Sequence, residues 1–326
     1  MQEEESTLQK ALSYNGAEDD PTEFPDEDFF ATSLDDYDTF DDNAWEQGNG
    51  YSCPNFPLFD SYMDGLESGF YIFGGESNSG KSAIMLNLIM DFCKCIDNHL
   101  FGIFFSLDDT KKEIIPRLIA MEEGIPIAVC SKPQRYVNLI NNDAPDSALY
   151  REWLEKREDG LQKLRDLNQI FKVVDGTSIM NGEQILSYCI KLKSYLKVLD
   201  ERANIIVGID SLSDITFVEE QFSGAARDRQ LNDYIAKTIK KWAVEILDCP
   251  IFGSLHLRKV EGGKRPTVAD VKDSGRYVYE ASTLFLIHND VNKNRENARV
   301  FFHEDDSTLK KPIIELEWAT KLLIKI

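Results

Sequence analysis

Residues 75–82 read Gly-Glu-Ser-Asn-Ser-Gly-Lys-Ser, and this octapeptide limits the possible folds more than any other feature of the chain. It satisfies GxxxxGK[ST] at each fixed position: Gly75, Gly80, Lys81 and Ser82. The apolar run Tyr71–Phe73 enters it, and an amphipathic stretch, Ser82–Cys95, leaves it. A strand, a glycine-rich turn and a helix in that order form a loop whose backbone N–H groups converge on phosphate oxygens. The start of the helix adds positive potential at the same place. Gly75, Glu76, Ser77, Asn78, Ser79 and Gly80 supply the curl. Lys81 reaches the β- and γ-phosphates, and the Ser82 hydroxyl is placed to ligate Mg2+. The octapeptide therefore predicts a site for ATP or GTP.

A phosphate loop of this kind needs a carboxylate at the end of a neighbouring strand. Ile205-Ile206-Val207-Gly208-Ile209-Asp210 is an apolar run ending in one, and Asp210 can hold Mg2+ directly or through water. A second acidic pair, Asp108 and Asp109, follows the apolar run Phe101–Ser106. Further short runs occur at Ile170–Val174, Pro250–Leu255, Thr283–Ile287, Arg299–His303 and Ile313–Trp318. Helix-like periodicity marks Ser82–Cys95, Lys111–Glu123, Ser147–Asn168, Glu183–Leu199 and Gln230–Leu247. Near-continuous apolar strands alternating with amphipathic helices predict an α/β fold: a mainly parallel, twisted sheet with helices on both faces, spanning residues 51–326.

Charge sets the first fifty residues apart. Residues 1–50 hold 16 acidic residues and one basic residue, Lys10, so they carry most of the chain's net charge of −21. So many like charges with so little aliphatic content predict a disordered acidic tail. Phe29, Phe30, Tyr37, Phe40 and Trp45 stand among the carboxylates. Rings interleaved with acids can imitate the bases and phosphates of a single strand, so the tail is read either as a docking element for a basic nucleic-acid groove, its own or a replication partner's, or as a solvating segment. The six cysteines, Cys53, Cys93, Cys95, Cys130, Cys189 and Cys249, form no CxxC pair and read as reduced thiols. No apolar run is long enough to span a bilayer, and residues 1–20 have neither a basic start nor an apolar h-region, which predicts a cytoplasmic protein with no membrane partner.

Several ordered segments resemble the RecA-like ATPase domain of DnaB-type replicative DNA helicases. Asp64-Gly65-Leu66-Glu67-Ser68-Gly69 is similar to that family's GGLxxG lead-in, and Phe104-Phe105-Ser106-Leu107-Asp108 to its FFSLE. Arg117–Ile125 resembles the helix that follows, Ile209-Asp210-Ser211-Leu212 the metal-carboxylate strand end, and Arg227-Asp228-Arg229-Gln230 the start of a later helix. Ser254-Leu255-His256-Leu257 falls on LSQL, Lys264-Arg265-Pro266 on KRP, and Asp270–Gly275 on DLRESG. The resemblance covers residues ~54–318. It implies a RecA-like P-loop NTPase that uses Mg2+ and ATP, assembles as a hexameric ring and moves along single-stranded DNA during replication. It also implies that Asp108 polarises water, that His256 takes the place of the glutamine sensing the γ-phosphate, and that Lys272, Asp273 and Gly275 touch the DNA backbone.

Composition agrees with a nucleic-acid loop. From Arg258 to Arg276 there are six basic residues, Lys264, Arg265 and Lys272 among them, and three acids. Copies of such a segment around a pore would grip phosphates without sequence preference. The alternative is a solvated surface loop. The chain also departs from the pattern. Asp108 is one methylene shorter than glutamate, so Asp109 is a candidate substitute, and His256 adds a group that titrates near neutral pH. No residues here clearly match the family's helical collar domain or its C-terminal arginine segment, so Lys321 and Lys325 are expected as the candidate cations acting in trans on a neighbour's nucleotide. The alternative functions are an ATP-binding DNA scaffold or helicase-loading factor with weak turnover, and a RecA- or KaiC-like ATPase.

Overall fold

Six near-continuous apolar runs build six adjacent strands of a single sheet. The computed structural model describes residues 50–142, 144–176, 181–217, 227–258, 266–271, 275–288, 317–319 and 321–325. In chain order, α1 (Pro57–Met63) leads into β1 (Gly69–Gly75), and α2 (Lys81–Lys94) follows. Next come β2 (Leu100–Ser106), α3 (Lys111–Glu123), α4 (Ile127–Ser131), α5 (Pro133–Asn141) and α6 (Ser147–Leu167). The chain continues through β3 (Phe171–Asp175), α7 (Gly182–Leu199), β4 (Asn204–Asp210), α8 (Arg227–Lys241) and β5 (Pro250–His256). Last are α9 (Arg276–Glu280), β6 (Thr283–His288), β7 (Glu317–Ala319) and β8 (Lys321–Lys325).

The strand order is β3-β2-β4-β5-β1-β6-β8-β7. Every neighbouring pair is parallel except β7 with β8. Parallel strands need crossovers, and the crossover helices cover both faces, so the strands are apolar on both sides. In β1, Tyr71 and Phe73 face one core, with Met85, Leu86, Ile89 and Phe92 of α2. Phe70 and Ile72 face the other, with Ile235 and Ile239 of α8 and Ile185 of α7. A small satellite core joins α3 to α4, where Ile119 and Ala120 pack with Val129 and Cys130. The six cysteines are unpaired, and among the described residues no helix is long and apolar enough to cross a membrane.

Helix α2 lies close against the sheet because two strand positions beneath it lack side chains. A Cβ on Gly102 of β2 would come within 2.9 Å of Ile89, and one on Gly208 of β4 within 2.7 Å of Ile89 and 2.6 Å of Phe104. Gly208→Val is therefore expected to overpack this contact and cost about 1–3 kcal/mol. Thermal melting should fall by several degrees, and an unchanged transition would contradict the close seating.

Each predicted helix is present, and so are the first six predicted strands. The stretch Gln230–Leu247 needs correction: α8 starts at Arg227 and ends at Lys241, and Trp242–Ile246 widens into a π-helical turn in which Leu247 N donates to Trp242 O at 2.7 Å. The wider turn brings Trp242 and Leu247 onto one face, so both enter the core, which an α-helical spacing of five would prevent. The run Arg299–His303 lies outside the described residues, as do the first four positions of Ile313–Trp318. Helices α1, α4, α5 and α9 and strand β8 are additional to the expectation.

Candidate nucleotide-binding site

The carboxyl ends of the central strands converge on one edge of the sheet, where open α/β sheets place their ligands. Gly75 at the end of β1 is level with His256 of β5 and with Ile287 of β6. Ser106 of β2 is level with Asp210 of β4. The sheet register thus gathers four of the segments singled out in the sequence before any side chain is considered.

The loop 75–82 curls where its residues allow. Asn78 and Gly80 have φ of +61° and +99°, and Ser79 N donates to Glu76 O at 3.2 Å. Gly80 caps α2 in this left-handed conformation, which favours glycine. A side chain on Gly75 would sit 2.3 Å from Ser79 Oγ, so the cradle requires bare backbone there. Ser79 Oγ is buried and has no hydrogen-bond partner among the described residues. An unpaired buried hydroxyl costs about 1–3 kcal/mol, and a phosphate oxygen in the cradle is the acceptor it lacks.

Lys81, at the start of α2, is buried. Its Nζ donates to Gly75 O at 3.3 Å and Glu76 O at 2.9 Å, and it lies 3.4 Å from His256 Nδ1. Burial pulls the lysine pKa down, and the Asp210 carboxylate acts in the opposite sense. His256 is half-buried; burial first, and then the Lys81 ammonium, hold its pKa below the usual imidazole value.

Asp210 is buried at the end of β4, where its Oδ1 accepts a hydrogen bond from Ser254 Oγ of β5. Its backbone oxygen accepts from Leu107 N at 2.6 Å, tying the segment after β2 to the carboxylate strand, and its peptide bond to Ser211 is cis. Ser254 orients Asp210 and was not among the predicted site residues. Its one signal in the sequence is a polar residue inside an otherwise apolar buried run. Of the two acids after β2, Asp109 pairs with Arg117 at 2.6 Å. Asp108 is exposed and makes no hydrogen bond or ion pair among the described residues. Asp109 is thus engaged by Arg117, while Asp108 has no ion-pair partner among the described residues.

The donor set suits Mg2+. The Ser82 hydroxyl and the Asp210 carboxylate are hard oxygen ligands, and Mg2+ in phosphate-transfer sites takes one or two protein oxygens, with phosphates and water completing the shell. Among the described residues there is no group of three or more His, Cys, Asp or Glu that would form an all-protein cage. On the far side of β5, Leu257 bridges Val271 and Arg258 N donates to Asp270 O at 2.9 Å. Asp270 Oδ2 accepts from Thr267 N at 2.7 Å and from Thr267 Oγ1 at 2.8 Å. The basic segment therefore departs and returns at one pinned base. Lys264, Arg265, Lys272 and Asp273 lie outside the described residues. Gly275 opens α9 with φ of −63°, and a Cβ there would meet nothing.

A phosphate loop on β1, a buried carboxylate ending β4 and a polar residue ending the adjacent β5 define a RecA-like nucleotide-binding domain. The chain belongs to the family described as DnaB-like helicase C terminal domain, whose model matches residues 54–315. It is similar to the replicative DNA helicase DnaB of Mycoplasma pneumoniae, with 24% identity over 266 residues, covering 74% of this chain and 50% of that protein. It is also similar to a probable replicative DNA helicase of Trieres chinensis, with 27% identity over 256 residues, covering 72% and 50%. The chain thus spans about half the length of these relatives. Among solved structures, one of an isolated ATPase domain aligns with a TM-score of 0.58 at 19% identity, covering 80% of this chain and 83% of that one. A DnaB-like replicative helicase studied with its primase interactions aligns with a TM-score of 0.60 at 20% identity, covering 85% and 59%. These two likenesses establish the fold.

Proposed function

We propose that this domain is an ATP-driven motor of the DnaB type, coupling hydrolysis of Mg-ATP to movement along single-stranded DNA in replication. Lys81 and the loop 75–80 hold the triphosphate, Ser82 and Asp210 hold the metal, and Asp108 orients the attacking water. The metal, when bound, polarises the phosphoryl oxygens and neutralises developing charge. One observation carries the reading: His256 lies beside Lys81 and, two residues on, the same strand enters the basic segment at Arg258. A change at the γ-phosphate is thus passed along one continuous stretch of chain toward Lys264, Arg265, Lys272 and Asp273, the residues assigned to the DNA backbone together with Gly275.

The motor is assigned to a hexameric ring with nucleotide at subunit boundaries. Of the two candidate trans cations, the register favours Lys325. It is level with His288 at the end of β6, on the sheet edge that carries the phosphate loop. Lys321 lies four residues back along β8, about 13 Å toward the opposite edge. The acidic segment 1–50 is assigned the docking of a replication partner, and the site of action is the cytoplasm.

The test is ATP turnover on assemblies of measured mass, with and without single-stranded DNA. Turnover should rise severalfold with DNA, and DNA affinity should fall steeply and log-linearly with salt as phosphate counterions are released. Turnover by intact rings that ignores DNA would overturn the motor reading.

A further inference from the structure

Among the described residues, His256 is the one titratable side chain within hydrogen-bond distance of the phosphate-binding lysine, and the contact dictates its protonation. Lys81 has three N–H donors and no acceptor. Two donors go to Gly75 O and Glu76 O, and the third faces His256 Nδ1 at 3.4 Å. The ammonium cannot accept a hydrogen bond, so Nδ1 is the unprotonated nitrogen and the ring proton sits on Nε2. Nε2 itself makes no hydrogen bond among the described residues. A doubly protonated ring would set a second cation against the ammonium at this separation.

We propose that His256 is a positioning residue for Lys81 that changes partners with the nucleotide: the neutral ring holds the lysine through Nδ1, and when a triphosphate draws the lysine away the ring takes up a proton and adds its own charge to the cradle. This rests on the nucleotide reading of the loop and adds a proton to its binding equilibrium. Four charged groups act on the ring: Lys81 from the start of α2, Asp210 from the end of β4, Asp214 from the turn after β4 and Asp108 from the segment after β2. Burial and the ammonium keep the ring neutral, and the three carboxylates favour its charge. With Mg2+ the metal engages Asp210, but the metal-bound triphosphate keeps a net negative charge that joins Asp214 and Asp108 and engages the opposing ammonium, so the balance shifts toward the charged ring.

The sign follows from linkage. Without ligand the ring titrates below its ordinary value, and with ligand it titrates higher, so binding takes up a proton at pH values between the two. Affinity then rises as pH falls through the upper value and levels off below the lower one. Each unit by which the nucleotide raises the ring's pKa is a tenfold gain in affinity across the window. A ring moved by about one unit would bind about tenfold more tightly at a pH below both values than at a pH above both.

The experiment titrates the full chain with Mg2+ and a nonhydrolysable ATP analogue by calorimetry across this range, in buffers of different ionisation enthalpy. In parallel, the imidazole signals of the four histidines are followed by NMR, with His256 assigned from H256Q. The wild type should take up protons on binding, and its His256 signal should titrate at higher pH in the complex. H256Q, whose amide cannot titrate, should lose the tenfold component and keep only the pH dependence of the nucleotide itself. Matching pH profiles in the two proteins would overturn the proposal. So would a His256 signal that titrates at the same pH with and without nucleotide, a result that needs no variant to fold. Failure of the wild type to bind at any pH would overturn the nucleotide reading itself, and this inference with it.

Discussion

Lys81→Ala will abolish nucleotide binding and lower ATP turnover at least about a hundredfold, the scale of losing a preorganised charge on a transferring phosphoryl group. The substitution should leave the fold intact, because both carbonyls that hold the ammonium have second donors. Gly75 O also accepts from Leu257 N at 3.1 Å, and Glu76 O from Ser79 N at 3.2 Å. Removing the lysine therefore strands neither carbonyl, and the half-buried His256 ring can turn to water. It also removes a buried cation whose pKa burial has already pulled down. Without nucleotide the variant should melt at the wild-type temperature or slightly above it. A hundredfold excess of ATP over its Kd stabilises a binder by about 2.7 kcal/mol, and K81A should show none of that shift. An equal nucleotide-induced rise in Tm for both proteins would remove Lys81 from the site.

That contrast, a local motif with long-range partners, also marks where the sequence is legible. Loop 75–82 is read from contiguous residues because each of its demands falls within one turn of chain. Strand centres such as Ile205–Ile209 are legible because burial on both faces leaves no polar alternation. Segment 126–141 is not. No helix is predicted there, yet Pro126 caps α4 and Pro133 is the first residue of α5, where a missing N–H costs nothing. Strand β8 is equally hidden, since Lys321-Leu322-Leu323-Ile324-Lys325 is short and bracketed by charge, and only pairing with β6 identifies it.

Within the site, individual residues are legible and their couplings are not. Asp210 stands out at the end of an apolar run, but the Ser254 that orients it lies 44 residues away. Lys81 and His256 are 175 residues apart and meet because β1 and β5 are neighbours in register. Asp108 and Asp109 look interchangeable until the packing of α3 brings Arg117 onto Asp109. Periodicity reports which face of an element is buried; which elements become neighbours, and at what register, depends on sheet order.

Asp210→Asn will lower turnover further, by about a thousandfold, through two consequences of losing one charge. The amide keeps the shape of the site. Its oxygen can still accept from Ser254 Oγ, and the backbone bond from Leu107 N to residue 210 is untouched. What disappears is the anion. A neutral amide oxygen holds Mg2+ far less well than a carboxylate, so half-maximal turnover should need much more Mg2+. The same carboxylate also favours the charged form of Lys81 against the burial that opposes it. Without it the lysine loses part of what keeps it protonated, and the phosphate cradle weakens even where metal is supplied in excess. Two readouts separate these effects. A Mg2+ titration of turnover reports the first, and affinity for the nonhydrolysable analogue without Mg2+ reports the second. Both should be worse in D210N, while its thermal transition without ligands stays within a few degrees of the wild type. Turnover within about tenfold of wild type at ordinary Mg2+ would show that the metal is held elsewhere, and the assignment of β4 as the metal strand would fall.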